Sequence, residues 1–213
     1  MLESLKDKVY NANQDLLEQS GCEFSWVTVS AIDRELGLVV LMPEGSALEP
    51  EDMVVLDLDG NPVDGKEPPV CDTAVHLQLY REFPEIGSIA HPYSRWATIF
   101  AQLEMSIPTL GSIHARTFGV DIPAAKQLPD QDLCDLGCTM VAKAIADIYR
   151  DAPYGPLDVP AVLVSCQGAY TFGVDARSAV HHAKVLDEAA FLAYHTIQVD
   201  PGIRSLGYRG KHK

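Results

Sequence analysis

The chain has 213 residues, 47% of them hydrophobic, and a formal net charge of −14 at pH 7. This length can bury one full core, and the charge argues against nucleic acid or an anionic membrane as a partner, because phosphate groups would be repelled. No apolar run is long enough to span a bilayer, and the five cysteines include no CxxC pair, so we predict one cytoplasmic domain without a disulfide framework.

The first half of the chain predicts a helix followed by paired strands. Apolar residues spaced by three and four predict an amphipathic helix that ends at Gly21, namely Leu2, Leu5, Val9, Ala12 and Leu16. A first hairpin is predicted from "FSWVTVSAI" and "GLVVLM", and "DMVVLDLDGNPVDG" predicts another strand with a turn at Asp59-Gly60. Asp72 or Thr73 then caps a helix that ends before Pro84, and the buried strand "EIGSIAH" follows.

The second half predicts more helices and a second hairpin. A short helix is expected from Trp96 to Leu103, and "IPTLGSIHA" allows one more strand. A long helix follows in "LPDQDLCDLGCTMVAKAIADIYRD", then a hairpin formed by "VPAVLVS" and "AYTFG", then a final amphipathic helix. We predict one α/β domain over residues 1–213, with a mixed, mostly antiparallel sheet and a mobile tail from about residue 200.

The end of the strand "SIAH" raises the question of a metal site. Side chains two residues apart on a strand share a face, so a metal held by His91 would call for a second imidazole at position 93. That position is Tyr93. The local pattern therefore leaves open a metal site, a lost metal site and an ordinary strand end.

The same segments, taken in order, resemble the L-ribulose-5-phosphate 4-epimerases of the class II aldolase/adducin family. The resemblance is strongest in "SAIDRELGLVVLMPEG", in residues 51–102 and in "QGAYTFGVDARSAVHHAKVLDEAAF". It implies a three-layer αβα fold and a homotetramer with the active site between subunits. A mixed ring with a catalytically intact relative is the alternative assembly.

The resemblance also implies a divalent zinc-type metal on three histidines, which polarises a carbonyl and stabilises an enediolate. His91 matches the first ligand, whereas Tyr93 and Gln167 occupy the positions of the other two. A phenol and an amide do not replace imidazole for zinc, so we expect no bound metal, with a residual zinc-type ion as the alternative. The family's nearby acid is retained as Asp72.

The family's phosphate-binding positions are altered as well. They correspond here to Val27-Thr28, Pro43-Glu44-Gly45 and Val70-Cys71, where the family has a Gly-Asn pair, a Pro-Ser-Gly loop and a Ser-Ser pair. Glu44 would place a carboxylate against a phosphate, which costs energy instead of supplying a hydrogen bond.

The proton-transfer positions differ in a third way. The family's His-Ala-Asp motif is His114-Ala115-Arg116 here, which reverses the charge. We expect the family fold to bring Cys71, Asp72 and His91 into one cleft with His114 and Arg116. There Cys71 would be a candidate nucleophile.

The resemblance and these differences predict an L-ribulose-5-phosphate 4-epimerase-like protein that has lost metal-dependent catalysis, as a pseudoenzyme or an interaction subunit, with any small-molecule ligand unknown. One alternative is an enzyme with metal-free acid–base or thiol chemistry in the old cleft, and another is a still-active sugar-phosphate epimerase or aldolase. The candidate catalytic residues are Cys71, Asp72, His114 and Arg116. The candidate substrate-binding residues are Thr28, Glu44, Gly45, Tyr93 and Gln167, and the candidate metal ligand is His91.

Overall fold

The computed structural model describes residues 2–20, 27–43, 49–65, 70–125 and 137–207. The helices within these ranges are α1 (Glu3–Ser20), α2 (Thr73–Glu82), α3 (Arg95–Gln102), α4 (Ser112–Thr117), α5 (Gly137–Asp151) and α6 (Ala176–Val199). The strands are β1 (Thr28–Asp33), β2 (Leu38–Leu41), β3 (Val54–Asp57), β4 (Pro62–Asp64), β5 (Ser88–His91), β6 (Ala124–Ala125), β7 (Ala161–Val164) and β8 (Gly168–Gly173). None of the helices described is long and apolar enough to cross a bilayer.

All eight strands form one sheet in the order β4-β3-β2-β1-β5-β8-β7-β6. Only the β6–β7 pair is parallel, so the sheet is mixed and mostly antiparallel, as predicted. The two predicted hairpins are confirmed as β1–β2 and β7–β8, and the predicted turn at Asp59-Gly60 joins the antiparallel pair β3–β4. β5 lies in the middle of the sheet, paired with β1 and β8, and this position puts its last residue beside both neighbours.

Helices pack on both faces of the sheet because its strands are apolar on both sides. In β2, Val39 and Leu41 join a core cluster with residues of α2 and α5, whereas Val40 joins a cluster with α1. In β5, Ile89 and Ala90 divide between the two faces in the same way. This alternation of successive side chains produces the expected three layers.

The segment after α3 differs from the prediction. The strand allowed for "IPTLGSIHA" is reduced to a single bridge between Ile107 and Ile122, and the chain then forms the short helix α4. The backbone N–H of Thr109 donates to the Asp121 carboxylate at 2.8 Å, so a side chain accepts the hydrogen bond that a neighbouring strand would otherwise accept.

The predicted long helix and the predicted C-terminal tail are each described only in part. The beginning of the predicted long helix, residues 128–136, lies outside the described residues, and the described helix of this segment is α5. Residues 200–207 follow α6, and the N–H of Leu206 donates to the carbonyl of Thr109 at 2.9 Å. The predicted mobility of the tail stays a prediction, and residues 208–213 lie outside the described part.

Gly87, directly before β5, allows the close approach of the chain that follows β8. Its N–H donates to Gly173 and its carbonyl accepts from Ile32, and a Cβ at this position would lie 2.0 Å from the carbonyl oxygen of Val174. We expect Gly87→Ala to lower the free energy of unfolding by about 3 kcal/mol or more, because backbone must move to make room. Urea unfolding measures this loss.

The matched control is Gly155→Ala, where the nearest atom to a new Cβ is a carboxylate oxygen of Glu85 at 3.5 Å, an ordinary contact. This change should cost less than about 1 kcal/mol. Equal losses in the two variants would contradict the close-approach explanation.

Candidate functional site

A cleft of about 740 Å³ opens where β1 begins, where β5 ends, where α2 begins and where β7 turns into β8. Thr28 and His91 are direct partners in the β1–β5 register, so the two strands deliver them side by side. The cleft is lined by Val27, Thr28, Met42, Pro43, Val70, Cys71, Asp72, His91, Pro92, Tyr93, Thr98, Gln102, Cys166 and Gln167.

His91 is the centre of this cleft, and both of its ring nitrogens are hydrogen-bonded. Nδ1 lies 2.5 Å from the Asp72 carboxylate, and Nε2 lies 2.9 Å from the backbone carbonyl oxygen of Gln167. Both partners are acceptors, so the arrangement suits an imidazolium that donates on each side. The ring also stacks on Tyr170, with a centroid distance of 4.2 Å and an interplanar angle of 20°.

Local backbone geometry presents these two partners to His91. Asp72 is the N-cap residue of α2, as predicted, but its side chain does not cap the helix. Its carboxylate is instead bound to His91. Opposite, Gly168 has a φ of +98°, a conformation that favours glycine, in the turn whose Gln167 carbonyl contacts the imidazole.

The charges of the pair shift both pKa values. Burial by itself would raise the pKa of the Asp72 carboxyl, but the charge and hydrogen bond of His91 outweigh it and lower this pKa to about 2. Burial would lower the pKa of His91, but the Asp72 carboxylate outweighs it, and the pKa is raised. Both shifts favour the ionic form of the pair, with opposite charges in contact.

A fully buried polar chain lies one helical turn behind Asp72. His76 Nδ1 and Ser30 Oγ are hydrogen-bonded at 2.7 Å, and Ser30 Oγ lies 2.8 Å from the Tyr80 hydroxyl. Burial lowers the pKa of His76 to about 4, so this imidazole is neutral, and its Nε2 finds no hydrogen-bond partner among the described residues. The spacing of four residues from Asp72 was the available sequence signal for this second histidine.

The side chains in the cleft do not fit a site built from three imidazoles. His91 has neither ring nitrogen free, Tyr93 offers a phenol, and Gln167 offers an amide. Among the residues that the structure describes, no three His, Cys, Asp or Glu side chains form a group that could hold a metal ion. A metal here would have to displace the Asp72 and Gln167 contacts of His91 and find other ligands.

The structure brings together six of the residues that we singled out from the sequence. They line one cleft: Thr28, Cys71, Asp72, His91, Tyr93 and Gln167. Pattern alone did not point to Thr98, Gln102 and Cys166, which line the same cleft from α3 and from the β7–β8 turn. Cys166 adopts a φ of 63°, which is uncommon for a residue with a side chain. Glu44 and Gly45 lie outside the described residues.

His114 and Arg116 do not reach this cleft, contrary to our expectation that they would share it with Cys71. His114 is 2% exposed, and its Nε2 contacts the Val120 carbonyl at 2.9 Å and the Thr109 hydroxyl at 3.2 Å. Burial lowers its pKa. Arg116 lies two residues later on α4 with its side chain exposed. Both residues lie on α4, which forms where a strand was allowed, and neither is among the residues that line the cleft.

The Asp72–His91 pair predicts a pH dependence of stability. Because the pKa of Asp72 is lowered, its ionised carboxylate stabilises the folded protein at pH values above the ordinary pKa of about 4. This contribution is lost as the pH falls towards 2. Because the pKa of His91 is raised, its protonated ring stabilises the folded protein at pH values below the ordinary pKa of about 6.5. This contribution is lost as the pH rises through the raised pKa. The stability difference between wild type and Asp72→Asn should therefore be largest between about pH 4 and 6.5.

Urea unfolding across this pH range measures the difference. The control is Asp59→Asn, because the Asp59 side chain is 86% exposed and 3.9 Å from Arg81, so its effect should be small at every pH. Parallel curves for wild type and Asp72→Asn would contradict an ionic pair.

Comparison with known proteins agrees with this architecture. L-ribulose-5-phosphate 4-epimerase UlaF from Salmonella paratyphi A is 39% identical over 208 residues, which cover 96% of this chain and 90% of the relative. The protein of the same name from Salmonella typhi gives the same values. Among solved structures, an L-fuculose 1-phosphate aldolase superposes with a TM-score of 0.80 at 20% identity, covering 94% of this chain and 90% of the other. At that identity the superposition shows the fold alone.

A second structural relative is YgbL from Escherichia coli, described as a putative aldolase/epimerase/decarboxylase. It superposes with a TM-score of 0.75 at 21% identity, covering 96% of this chain and 94% of the other. The family described as Class II Aldolase and Adducin N-terminal domain matches residues 7–194. Sheet order, helical layers and this match lead to one conclusion: the chain belongs to the class II aldolase and adducin family.

Proposed function

We propose that this chain is a metal-free, epimerase-like member of its family, which binds a small molecule in the cleft and does not carry out metal-dependent epimerisation. The observation that carries the proposal is the state of His91, whose two ring nitrogens are taken by Asp72 and by the Gln167 carbonyl. With Tyr93 and Gln167 at the other two positions, the chain supplies no set of three imidazoles.

The residues of the cleft would then bind the ligand and hold the cleft in shape. The Asp72–His91 pair ties the end of β5 to the start of α2, and the Gln167 carbonyl ties both to the β7–β8 turn. A ligand would meet a wall held rigid by these contacts. Hydroxyl and amide side chains, such as those of Thr28 and Gln102, line the accessible surface.

A second candidate function, metal-free thiol or acid–base chemistry, is favoured by the cysteines of the cleft. Cys71 and Cys166 carry thiols that are not in a disulfide, both are exposed, and both line the cleft. Cys71 also directly precedes Asp72 at the start of α2, where a thiolate is favoured. A thiol here could add to a substrate carbonyl, forming a carbon–sulfur bond while its proton passes to the carbonyl oxygen.

Metal content and its restoration test the proposal. We expect the purified wild-type protein to hold clearly less than one zinc per chain, measured by elemental analysis after incubation with zinc and desalting. The double variant Tyr93→His/Gln167→His should approach one zinc per chain, because the new imidazoles can replace the present contacts of His91. Adding His91→Ala to the double variant should abolish that uptake.

Other outcomes would decide between the alternatives. Stoichiometric zinc in wild type that is lost in His91→Ala, with zinc-dependent turnover of L-ribulose 5-phosphate, would overturn the proposal in favour of an active epimerase. Turnover that survives metal removal and disappears in Cys71→Ser would favour the second candidate instead.

Assembly as a homotetramer is also proposed, since the family framework that forms closed rings is retained in this chain. Sedimentation velocity at micromolar concentration should give the mass of four chains, and a monomer would contradict it. Purification from the native cell would reveal a mixed ring with an intact relative. The predicted cytoplasmic location remains a prediction that cell fractionation would check.

A further inference from the structure

Three polar side chains of α2 and its N-cap contact the sheet in the layer between them. Asp72, His76 and Tyr80 are spaced by four residues, which places them in line on one side of the helix. Asp72 contacts His91 of β5, whereas His76 and Tyr80 both contact the hydroxyl of Ser30 on β1, at 2.7 and 2.8 Å. These five residues form a polar seam that joins α2 to two neighbouring strands.

The sheet holds its part of the polar seam in a fixed position. Thr28 pairs with His91 in the β1–β5 register, so Ser30, two residues after Thr28, projects from the same face as His91. The Ser88 hydroxyl donates to the backbone carbonyl of Ser30 at 2.6 Å, and the ring of His91 stacks on Tyr170. Any movement of α2 over this face therefore changes the contacts of the polar seam.

The contact of His76 with Ser30 can set the rotation of α2 about its own axis. Apolar side chains such as Val75 and Leu79 hold the helix on the core, but hydrophobic burial is non-directional. A hydrogen bond, in contrast, weakens steeply as its angle departs from linear. The Ser30 hydroxyl has one proton for two contacts, so it donates to one neighbour and accepts from the other. His76 is fully buried, so bulk water cannot replace Ser30 as its partner.

The far end of α2 has a separate anchor. The Arg34 guanidinium donates to backbone carbonyls at that end, including those of Tyr80 and Ile86 at 2.8 and 2.7 Å. This clamp lies about two helical turns from Asp72, because Tyr80 follows Asp72 by eight residues. His76 lies only about one turn from Asp72, so it is better placed to control the position of the carboxylate.

We propose that His76 is a positioning residue of the cleft: its buried hydrogen bond to Ser30 fixes the rotation of α2 and so sets the Asp72 carboxylate against His91. This goes beyond the proposed function, because it assigns a role to a residue that lies behind the cleft wall. A residue with a merely structural role would contribute to stability without changing the contact between Asp72 and His91.

A double-mutant cycle measures that contact directly. Asp72→Asn, His91→Gln and their combination give the coupling of the two side chains in the unfolding equilibrium constant. Urea unfolding of the full chain is measured at one protein concentration and at about pH 6, where the ionic pair contributes most. We expect a coupling of about tenfold or more in the wild-type background. In a His76→Phe background, which keeps a ring without the hydrogen bond, the coupling should fall below about threefold.

His76→Asn and Arg34→Gln are the matched controls. Asparagine carries a hydrogen-bonding atom near the position of Nδ1, so His76→Asn should retain a coupling above about fivefold. Arg34→Gln removes the clamp at the far end of α2, so it should lower the free energy of unfolding while the coupling stays near its wild-type value. Ser30→Ala removes the same hydrogen bond from the sheet side. It should lower the coupling as His76→Phe does, and it replaces that variant if His76→Phe does not fold.

The ring protons of His91 provide a second readout. An imidazolium donates from both nitrogens, and protons held in hydrogen bonds exchange slowly with water. Both N–H signals should therefore be visible by NMR in the wild-type protein at about pH 6. The Nδ1 signal should broaden or disappear in His76→Phe and return in His76→Asn.

Two results would overturn the positioning role: a coupling that His76→Phe leaves unchanged, or one that Arg34→Gln lowers by as much. Zinc measured on the same samples keeps this test separate from the proposed function. Stoichiometric zinc in the wild-type protein would refute the metal-free proposal. The coupling, measured after dialysis against EDTA, would still decide the role of His76.

Discussion

The contact of His91 with Asp72 and with the Gln167 carbonyl is the interaction on which the cleft depends. It joins three pieces of chain: the end of β5, the start of α2 and the β7–β8 turn. Because the pair is half-buried and charge-assisted, it is geometrically specific. Removing one partner would leave the other charge poorly solvated, which costs more than the net gain of the pair.

The packing of the family framework does not depend on the side chains of the cleft. The sheet and its helical layers are held by apolar side chains on both faces, and these do not depend on the cleft. Tyr93 lines the cleft and also packs against the cluster of α1, β1 and α6. Substitution in the cleft therefore alters chemistry while the layers keep their packing, which is why fold by itself does not establish activity.

The charged side chains of the described cleft lining are a single pair. The only ionic side chains among its described residues neutralise each other, and the chain as a whole is strongly negative. The buried chain from His76 through Ser30 to Tyr80 supports this wall from behind with neutral groups.

Local pattern in the sequence determined the hairpins, the central strand and most helices. Alternation and helical spacing act over a few residues, and the residues beside them carry the turn signals. The sequence also determined that positions 93 and 167 hold no imidazole. Only the tertiary structure decided that the Asp72 carboxylate binds His91, 19 residues away, instead of capping α2. It also decided that the Gln167 carbonyl, 76 residues from His91, contacts the same ring.

The destination of α4 was decided in the same way. The backbone N–H of Thr109 donates to the Asp121 carboxylate instead of to a strand partner. In the helix that follows, His114 is buried and Arg116 is exposed, and neither lines the cleft. Thr98, Gln102 and Cys166 entered the cleft without any local signal. The physical reason is common to these cases: a pattern fixes which face of an element is apolar, whereas the partner of a polar side chain depends on which distant backbone packs beside it.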